Sequence, residues 1–303
     1  MRKPSQAELP PGLVIAAVTD LLGVAPGGWE PRAGGHTQAG KARATLADGS
    51  RVFVKWAAAG IEAALLDEIR VLSAVRGPFL PHVLAWSEDP AVLIMEDLTA
   101  AIWPPPFPGD VGSLWKALEA KAAIVPPGGL PRLEEWPGSE HRWRRLAADP
   151  RAFLDLGVVT ETWLGTHIND LVAAEESVAL AGTQLVHNDV FSGNMAFLGD
   201  RAILVDWATA AVGNAYLDTA MAVLSLRSEG GPLVRLGFPD EAGFAAMLAG
   251  HDALEAPAPL PGWARSDSTM RAEQLGDLRH ALAWAAECLG IPPPDGPTAL
   301  GPV

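Results

Sequence analysis

The spacing of apolar residues changes along the chain. In residues 12–23, GLVIAAVTDLLG, apolar positions recur at helical spacing and the run ends on Gly23. Residues 42–47 (ARATLA) and 51–56 (RVFVKW) are short runs separated by Asp48-Gly49-Ser50. Asp-Gly between two such runs predicts a hairpin, because glycine supplies the backbone conformation a tight reversal needs. From Ile61 to Val75 the residues Ile61, Leu65, Ile69 and Leu72 lie three or four apart, which predicts an amphipathic helix stopped by Gly77-Pro78. His82–Ser87 and Val92–Met95 fit strands. The first 97 residues therefore predict helix, hairpin, helix and two strands.

Residues 103–109, WPPPFPG, break the pattern. Helical spacing then dominates over 111–124, 139–148, 150–155, 158–179, 215–226, 240–253 and 267–289. One island interrupts it. Leu185-Val186, Met195–Phe197 and Ala202–Val205 are short apolar runs with turn residues between them, which suits small strands or loops. The tail from Ile291 to Val303 is rich in Pro and Gly and is expected to add little core. The expected fold is α+β and bilobal. Residues 1–97 form a small lobe of mixed sheet and helix, and residues 98–303 a larger, mostly helical lobe carrying the island.

Composition narrows the function classes. Hydrophobic content of 49% and charged content of 19% are those of a globular chain, and 303 residues suffice for two cores. No apolar run approaches the ~20 residues of a membrane span, so no membrane partner is expected. The polar start MRKPSQAELPPG and a single cysteine, Cys288, point to the cytoplasm. Net charge is −14, which argues against a nucleic-acid partner. The charge is uneven. Residues 1–97 carry 9 Lys+Arg against 11 Asp+Glu, and residues 98–303 carry 13 against 25. A cationic ligand would be drawn to the second part, although a solvated acidic surface gives the same count.

The chemistry concentrates in the island, LVHNDVFSGNMAFLGDRAILVDW, residues 185–207. His187, Asp189 and Asn194 have the spacing H-x-D-x-x-x-x-N, and Asp206 follows twelve residues after Asn194, directly behind Ala202–Val205. Ionised carboxylates in a locally apolar region need a cation or hydrogen bonds. Mg²⁺ takes a few protein oxygens and fills its other positions with phosphate and water, so Asn194 and Asp206 are ligands of the right kind. Asp189 is then free to orient an attacking hydroxyl. Taken singly, Asp189 and Asn194 read equally as turn caps.

This stretch resembles the aminoglycoside phosphotransferase family, a branch of the protein-kinase-like fold. That family carries the H-x-D-x-x-x-x-N loop and then a hydrophobic strand ending in Asp-Trp or Asp-Phe, here Ile203-Leu204-Val205-Asp206-Trp207. The resemblance implies that Asp189 is the catalytic aspartate, that Asn194 and Asp206 bind Mg²⁺, and that His187 holds the loop. Lys55 in VFVKW is similar to the family's phosphate-contacting lysine, and Glu68 in LLDEIRVL to its ion-pair partner, with Glu62 as the alternative. Val92–Leu98 resembles the strand and linker that hold adenine by backbone groups, here around Glu96 and Leu98. Gly34, Gly35 and Thr37 in GGHTQAG occupy the place of the loop that covers the nucleotide. That loop is neither the G-x-G-x-x-G of protein kinases nor a P-loop, since Gly40-Lys41-Ala42 lacks the hydroxyl. Asp218 matches a later aspartate that supports the catalytic loop, and a helix N-terminus explains a carboxylate there equally well.

The resemblance covers residues 30–225. Two features depart from it: Ala208 stands where many relatives have an acidic residue soon after Asp-Trp, and Val125–Glu140 matches nothing in the family. The implied activity is transfer of the γ-phosphate of ATP, with Mg²⁺, to a hydroxyl of a small molecule, and the acidic second part favours a cationic, amine-bearing one: an aminoglycoside-like antibiotic, an amino sugar or an amino alcohol. Acidic residues such as Glu134, Glu135, Glu161, Asp170, Glu273 and Asp277, with Glu140 and Asp267, are candidate contacts for such a substrate, and each alone reads as a solvated charge. The alternative is a pseudokinase or scaffold module without turnover, against which the intact set Lys55, Asp189, Asn194 and Asp206 argues. A metal hydrolase would need more ligands than the island holds.

Overall fold

The structure of the protein, a computed structural model, describes residues 9–32, 39–57, 62–135, 141–232, 236–259 and 270–300. The chain divides into two compact units, Met1–Leu130 with His187–Ala211, and Pro131–Val186 with Val212–Val303. From His187 onward the polar island thus belongs to the same compact unit as the N-terminal sheet, Leu185 and Val186 belong to the other, and the units do not follow from one cut of the chain.

The first unit opens with α1 (Gly12–Leu22), which stops at Gly23 because that residue adopts φ +69°. A five-stranded antiparallel sheet follows, in the order β1 (Gly28–Pro31), β2 (Gly40–Thr45), β3 (Arg51–Trp56), β5 (Ala91–Glu96) and β4 (Val83–Glu88). The β2–β3 hairpin is closed as its sequence predicts. Gly49 takes φ +83°, Ser50 N–H donates to Asp48 Oδ1 at 2.9 Å, and Thr45 faces Arg51. One sheet face is apolar: Ala42, Ala44, Val52, Val54, Trp56, Val92 and Ile94 pack with Val14 and Val18 of α1. Residues of alternate parity, including Lys55, point to the other face.

The predicted helix at 61–75 is α2 (Glu62–Ala74); Ile61 lies outside the described residues. It buries Leu65, Ile69, Val71 and Leu72, and also Glu68. Later the unit adds α3 (Gly112–Ala122) and the island. In the island β7 (Met195–Leu198) and β8 (Arg201–Leu204) pair around Gly199, which has φ +62°. The pair is pinned by Leu204 N–H to Phe79 O at 2.8 Å, and by Arg201, which donates to Pro78 O and Leu80 O.

The second unit contains α4 (Arg142–Ala148), α5 (Arg151–Leu154), α6 (Glu161–Ser177), β6 (Gln184–Val186), α7 (Tyr216–Ser228), α8 (Glu241–Glu255) and α9 (Met270–Leu289). β9 (Ala211–Gly213) precedes α7. Glu175 of α6 accepts the N–H groups of Arg142 and Trp143, which satisfies orphan donors at the start of α4. Trp143 is fully buried and donates its Nε1–H to Ala246 O at 2.7 Å.

Two features differ from the sequence expectation. β1 and β9 are too short to show a period, and pairing across the sheet sets them instead. The tail beyond Ile291 is tied down rather than peripheral. Asp295 accepts both Thr160 N–H and Thr160 Oγ1–H at 2.9 Å, Trp163 Nε1–H donates to Pro292 O, and Pro294 is buried. Hydrogen bonds and one buried ring give the tail an anchorage that its Pro and Gly content does not signal.

Candidate active site

Strand β3 carries Lys55 to the sheet face opposite the α1 core. Its ammonium is 2.6 Å from Glu68 Oε2 on α2 and 3.2 Å from Asp206 Oδ1, which directly follows β8 and Val205. Glu68 is therefore the glutamate that meets Lys55. Both members are nearly inaccessible to solvent, and Asp206 is more open. Burial alone would lower the Lys55 pKa, but the two carboxylates outweigh it and raise the pKa above its ordinary value. Burial pushes Glu68 up, against the pull of Lys55. For Asp206 burial acts upward too, yet Lys55 and Lys41 together hold it below the usual carboxylate range. The cluster thus keeps Asp206 ionised with one oxygen on Lys55.

Asp206 adopts φ +65° and ψ +65°, and Asn188 adopts φ +63°. Left-handed backbone in non-glycine residues is uncommon, Asp and Asn tolerate it best, and it concentrates at functional sites. In the H-x-D-x-x-x-x-N stretch, Asn194 Nδ2–H donates to Asp189 Oδ2 at 2.8 Å and to Asp189 O at 3.0 Å. The amide nitrogen is spent on Asp189, which leaves the Asn194 side-chain oxygen as the acceptor end. The Asn194 carbonyl accepts Val205 N–H at 3.0 Å, so this loop and the Asp206 segment are joined through the backbone.

His187 is buried. Its Nε2 lies 3.0 Å from Val205 O, which makes that nitrogen the protonated one. Its ring packs against that of Trp207 with centroids 4.4 Å apart, and its carbonyl accepts Thr209 Oγ1–H at 3.0 Å. Trp207 is fully buried beside Phe79 and donates Nε1–H to Leu204 O.

At the end of β5 the Glu96 carboxylate accepts His82 N–H at 2.8 Å and an Arg201 guanidinium N–H at 3.3 Å. Its side chain is thereby occupied structurally. Leu98 O accepts Ala101 N–H and Trp103 Nε1–H. Gly34, Gly35 and Thr37 lie outside the described residues. Asp218 is buried in the first turn of α7. Among the acidic candidates of the second unit, Glu134 pairs with Arg132 at 2.6 Å and Asp170 meets His167 at 3.4 Å. Burial raises the Asp277 pKa, and Glu140 and Asp267 are outside the described residues.

Among the described residues no group of three or more His, Cys, Asp or Glu is placed to hold a metal ion. The donor set that Asn194 and Asp206 offer is smaller than the three or four ligands of a zinc site. It does suit Mg²⁺, which takes one or two protein oxygens with phosphate and water; the Asn194 side-chain oxygen and the second Asp206 oxygen are of that kind.

The residues near Lys55 that the sequence reading did not single out are Lys41, which faces Lys55 across the hairpin, and Arg43, two residues on. Arg43 is buried, bonded to Thr99 Oγ1 at 3.0 Å and near Asp97. The turn at Asp48-Gly49 and period-two alternation contained the signal for both.

The fold is that of the kinase-like phosphotransferases. The phosphotransferase enzyme family model matches residues 28–260, and the chain belongs to that family of small-molecule phosphotransferases. Solved structures agree on the fold. An aminoglycoside phosphotransferase from Alicyclobacillus acidocaldarius superposes with a TM-score of 0.56 at 13% identity, covering 94% of this chain and 96% of its own. A choline/ethanolamine kinase family protein from Mesorhizobium loti gives 0.54 at 17% identity, with coverage of 88% and 96%. The macrolide 2'-phosphotransferase MphH from Brachybacterium faecium gives 0.50 at 16% identity, with coverage of 87% and 97%. No curated protein sequence matches. The α+β protein-kinase-like fold expected from the sequence is the fold found. Among the described residues no helix is long and apolar enough to cross a membrane.

Proposed function

We propose that the protein transfers the γ-phosphate of ATP to a hydroxyl of a small, amine-bearing molecule. The observation that carries this reading is the Lys55–Glu68–Asp206 cluster, whose members come from three separate stretches of the chain. Lys55 contacts the phosphates, and Glu68 fixes its ammonium. Asn194 and Asp206 hold Mg²⁺, which when bound neutralises charge on the phosphates. Asp189 accepts a hydrogen bond from the acceptor hydroxyl and orients its oxygen for in-line attack. The Asn194 amide bonded to Asp189 Oδ2 sets that carboxylate's direction. His187 positions the loop through Val205 O and does no chemistry. Backbone groups of Glu96 and Leu98 hold adenine, and Gly34, Gly35 and Thr37 cover the phosphates. Residues 1–97 act as the nucleotide-covering lobe, and 98–303 as the lobe that supplies the catalytic loop and the acceptor site.

Charge supports an amine-bearing acceptor. Residues 98–303 hold 25 acidic against 13 basic residues. Two of the similar structures carry the names aminoglycoside phosphotransferase and choline/ethanolamine kinase family protein, and those compounds join a hydroxyl to a cationic nitrogen. The test is Mg²⁺-dependent ATP consumption against a panel of aminoglycosides, amino sugars, amino alcohols and macrolides. The expected outcome is turnover with at least one cationic acceptor. Turnover only with neutral or anionic acceptors would overturn the substrate class, and absence of MgATP binding would overturn the kinase reading.

A further inference from the structure

We propose that Lys41 is a second phosphate-contacting cation, standing beside Lys55 to receive the polyphosphate of the nucleotide. The proposal rests on the kinase reading above and extends it to a residue outside the pattern of the catalytic loop. The β2–β3 register sets Lys41 directly opposite Lys55. Opposed residues on antiparallel strands share a face, with Cβ atoms about 4.5–5.5 Å apart. The other face of this hairpin is filled by Ala42, Ala44, Val54 and Trp56 in the apolar core. Lys41 is therefore on the Lys55 face and half-buried there.

Charge explains why a second lysine is useful. Lys55 already bonds two carboxylates, so its positive charge is more than cancelled before a nucleotide arrives. Lys41 restores the balance, and it acts electrostatically on Asp206 and Glu68 as well as on Lys55. Its placement is also costly, because like charges directly opposed on a sheet are destabilising. Burial and the neighbouring Lys55 lower its pKa, with Asp206 and Glu68 opposing. The sequence Gly40-Lys41-Ala42 lacks the P-loop hydroxyl, and the lysine is delivered by a strand instead of a loop before a helix.

The test is calorimetric titration of the full chain and of Lys41→Met and Lys41→Arg with MgATP and with adenosine, alongside thermal melts without ligand. The expected result is that Lys41→Met binds MgATP about tenfold or more weakly, the loss of one charge-assisted hydrogen bond, with adenosine affinity unchanged. Lys41→Arg retains most of the MgATP affinity. MgATP affinity undiminished in Lys41→Met overturns the proposal. So does a parallel loss of MgATP and adenosine with a lowered melting temperature, which is the mark of a structural lysine. Failure of the unsubstituted protein to bind MgATP overturns the kinase reading itself, and that result appears before any substitution is made.

Discussion

Asp206 carries two constraints at once. It sits at φ +65°, and it shares an oxygen with the Lys55 ammonium. Left-handed backbone costs a non-glycine residue of the order of 1–3 kcal/mol, less for Asp, and it persists when neighbours fix it. Here Val205 is held on both sides, its N–H by Asn194 and its carbonyl by His187. The ion pair gives Asp206 a pH signature. Its folded pKa lies below the ordinary 3.8, so it adds stability that is fully present above that value and is lost as pH falls through the folded pKa. Glu68 has the opposite sign: its raised pKa removes stability as pH climbs through the range above 4.5. Urea unfolding between pH 7 and about pH 3 separates the two. The native chain should lose more stability than Asp206→Asn over the most acidic part of that range. Parallel curves would mean that the Asp206–Lys55 pair contributes nothing in solution.

At the scale of elements the β2–β3 hairpin holds the most information. Gly40 pairs with Trp56, and a Cβ on Gly40 would fall 1.9 Å from the Trp56 indole. That ring is buried in the α1 core and has little room to yield. Gly40→Ala should therefore destabilise the chain by about 1–3 kcal/mol, read as a lower urea midpoint with unchanged slope. An unchanged midpoint would show that the hairpin can shift. The hairpin itself was legible, because Asp48-Gly49 and two short apolar runs force the reversal. The helix at 62–74 was legible from Leu65, Ile69 and Leu72, which it buries. β1 was not, since four residues ending in Pro31 show no alternation and pair only because β2 lies beside them. The tail was not either, because the bonds of Asp295 to Thr160 join residues 135 apart and leave no local trace.

At the scale of the whole molecule, Lys55 and Asp206 are 151 residues apart and become neighbours only in the folded chain. Periodicity cannot supply that contact. The order of motifs could, since the H-x-D-x-x-x-x-N run and Asp-Trp belong to a pattern that includes an earlier lysine and glutamate. The acceptor was not legible for the converse reason. A surface assembled from several helices is set by tertiary packing, and acidic residues such as Glu134 and Asp170 turn out to have basic or imidazole neighbours of their own. What the sequence does state at this scale is the concentration of negative charge in residues 98–303, which bears on the kind of acceptor and not on its identity.

The central claim is that this site moves phosphate with Asp189 as the residue that orients the attacking hydroxyl. Asp189→Ala tests it most directly, with MgATP affinity and acceptor-dependent ADP release measured on the same preparation. The account predicts MgATP affinity within a few-fold of the parent and turnover lower by about 10²–10⁴-fold. Asp189→Ala turning over at the parent rate would contradict it.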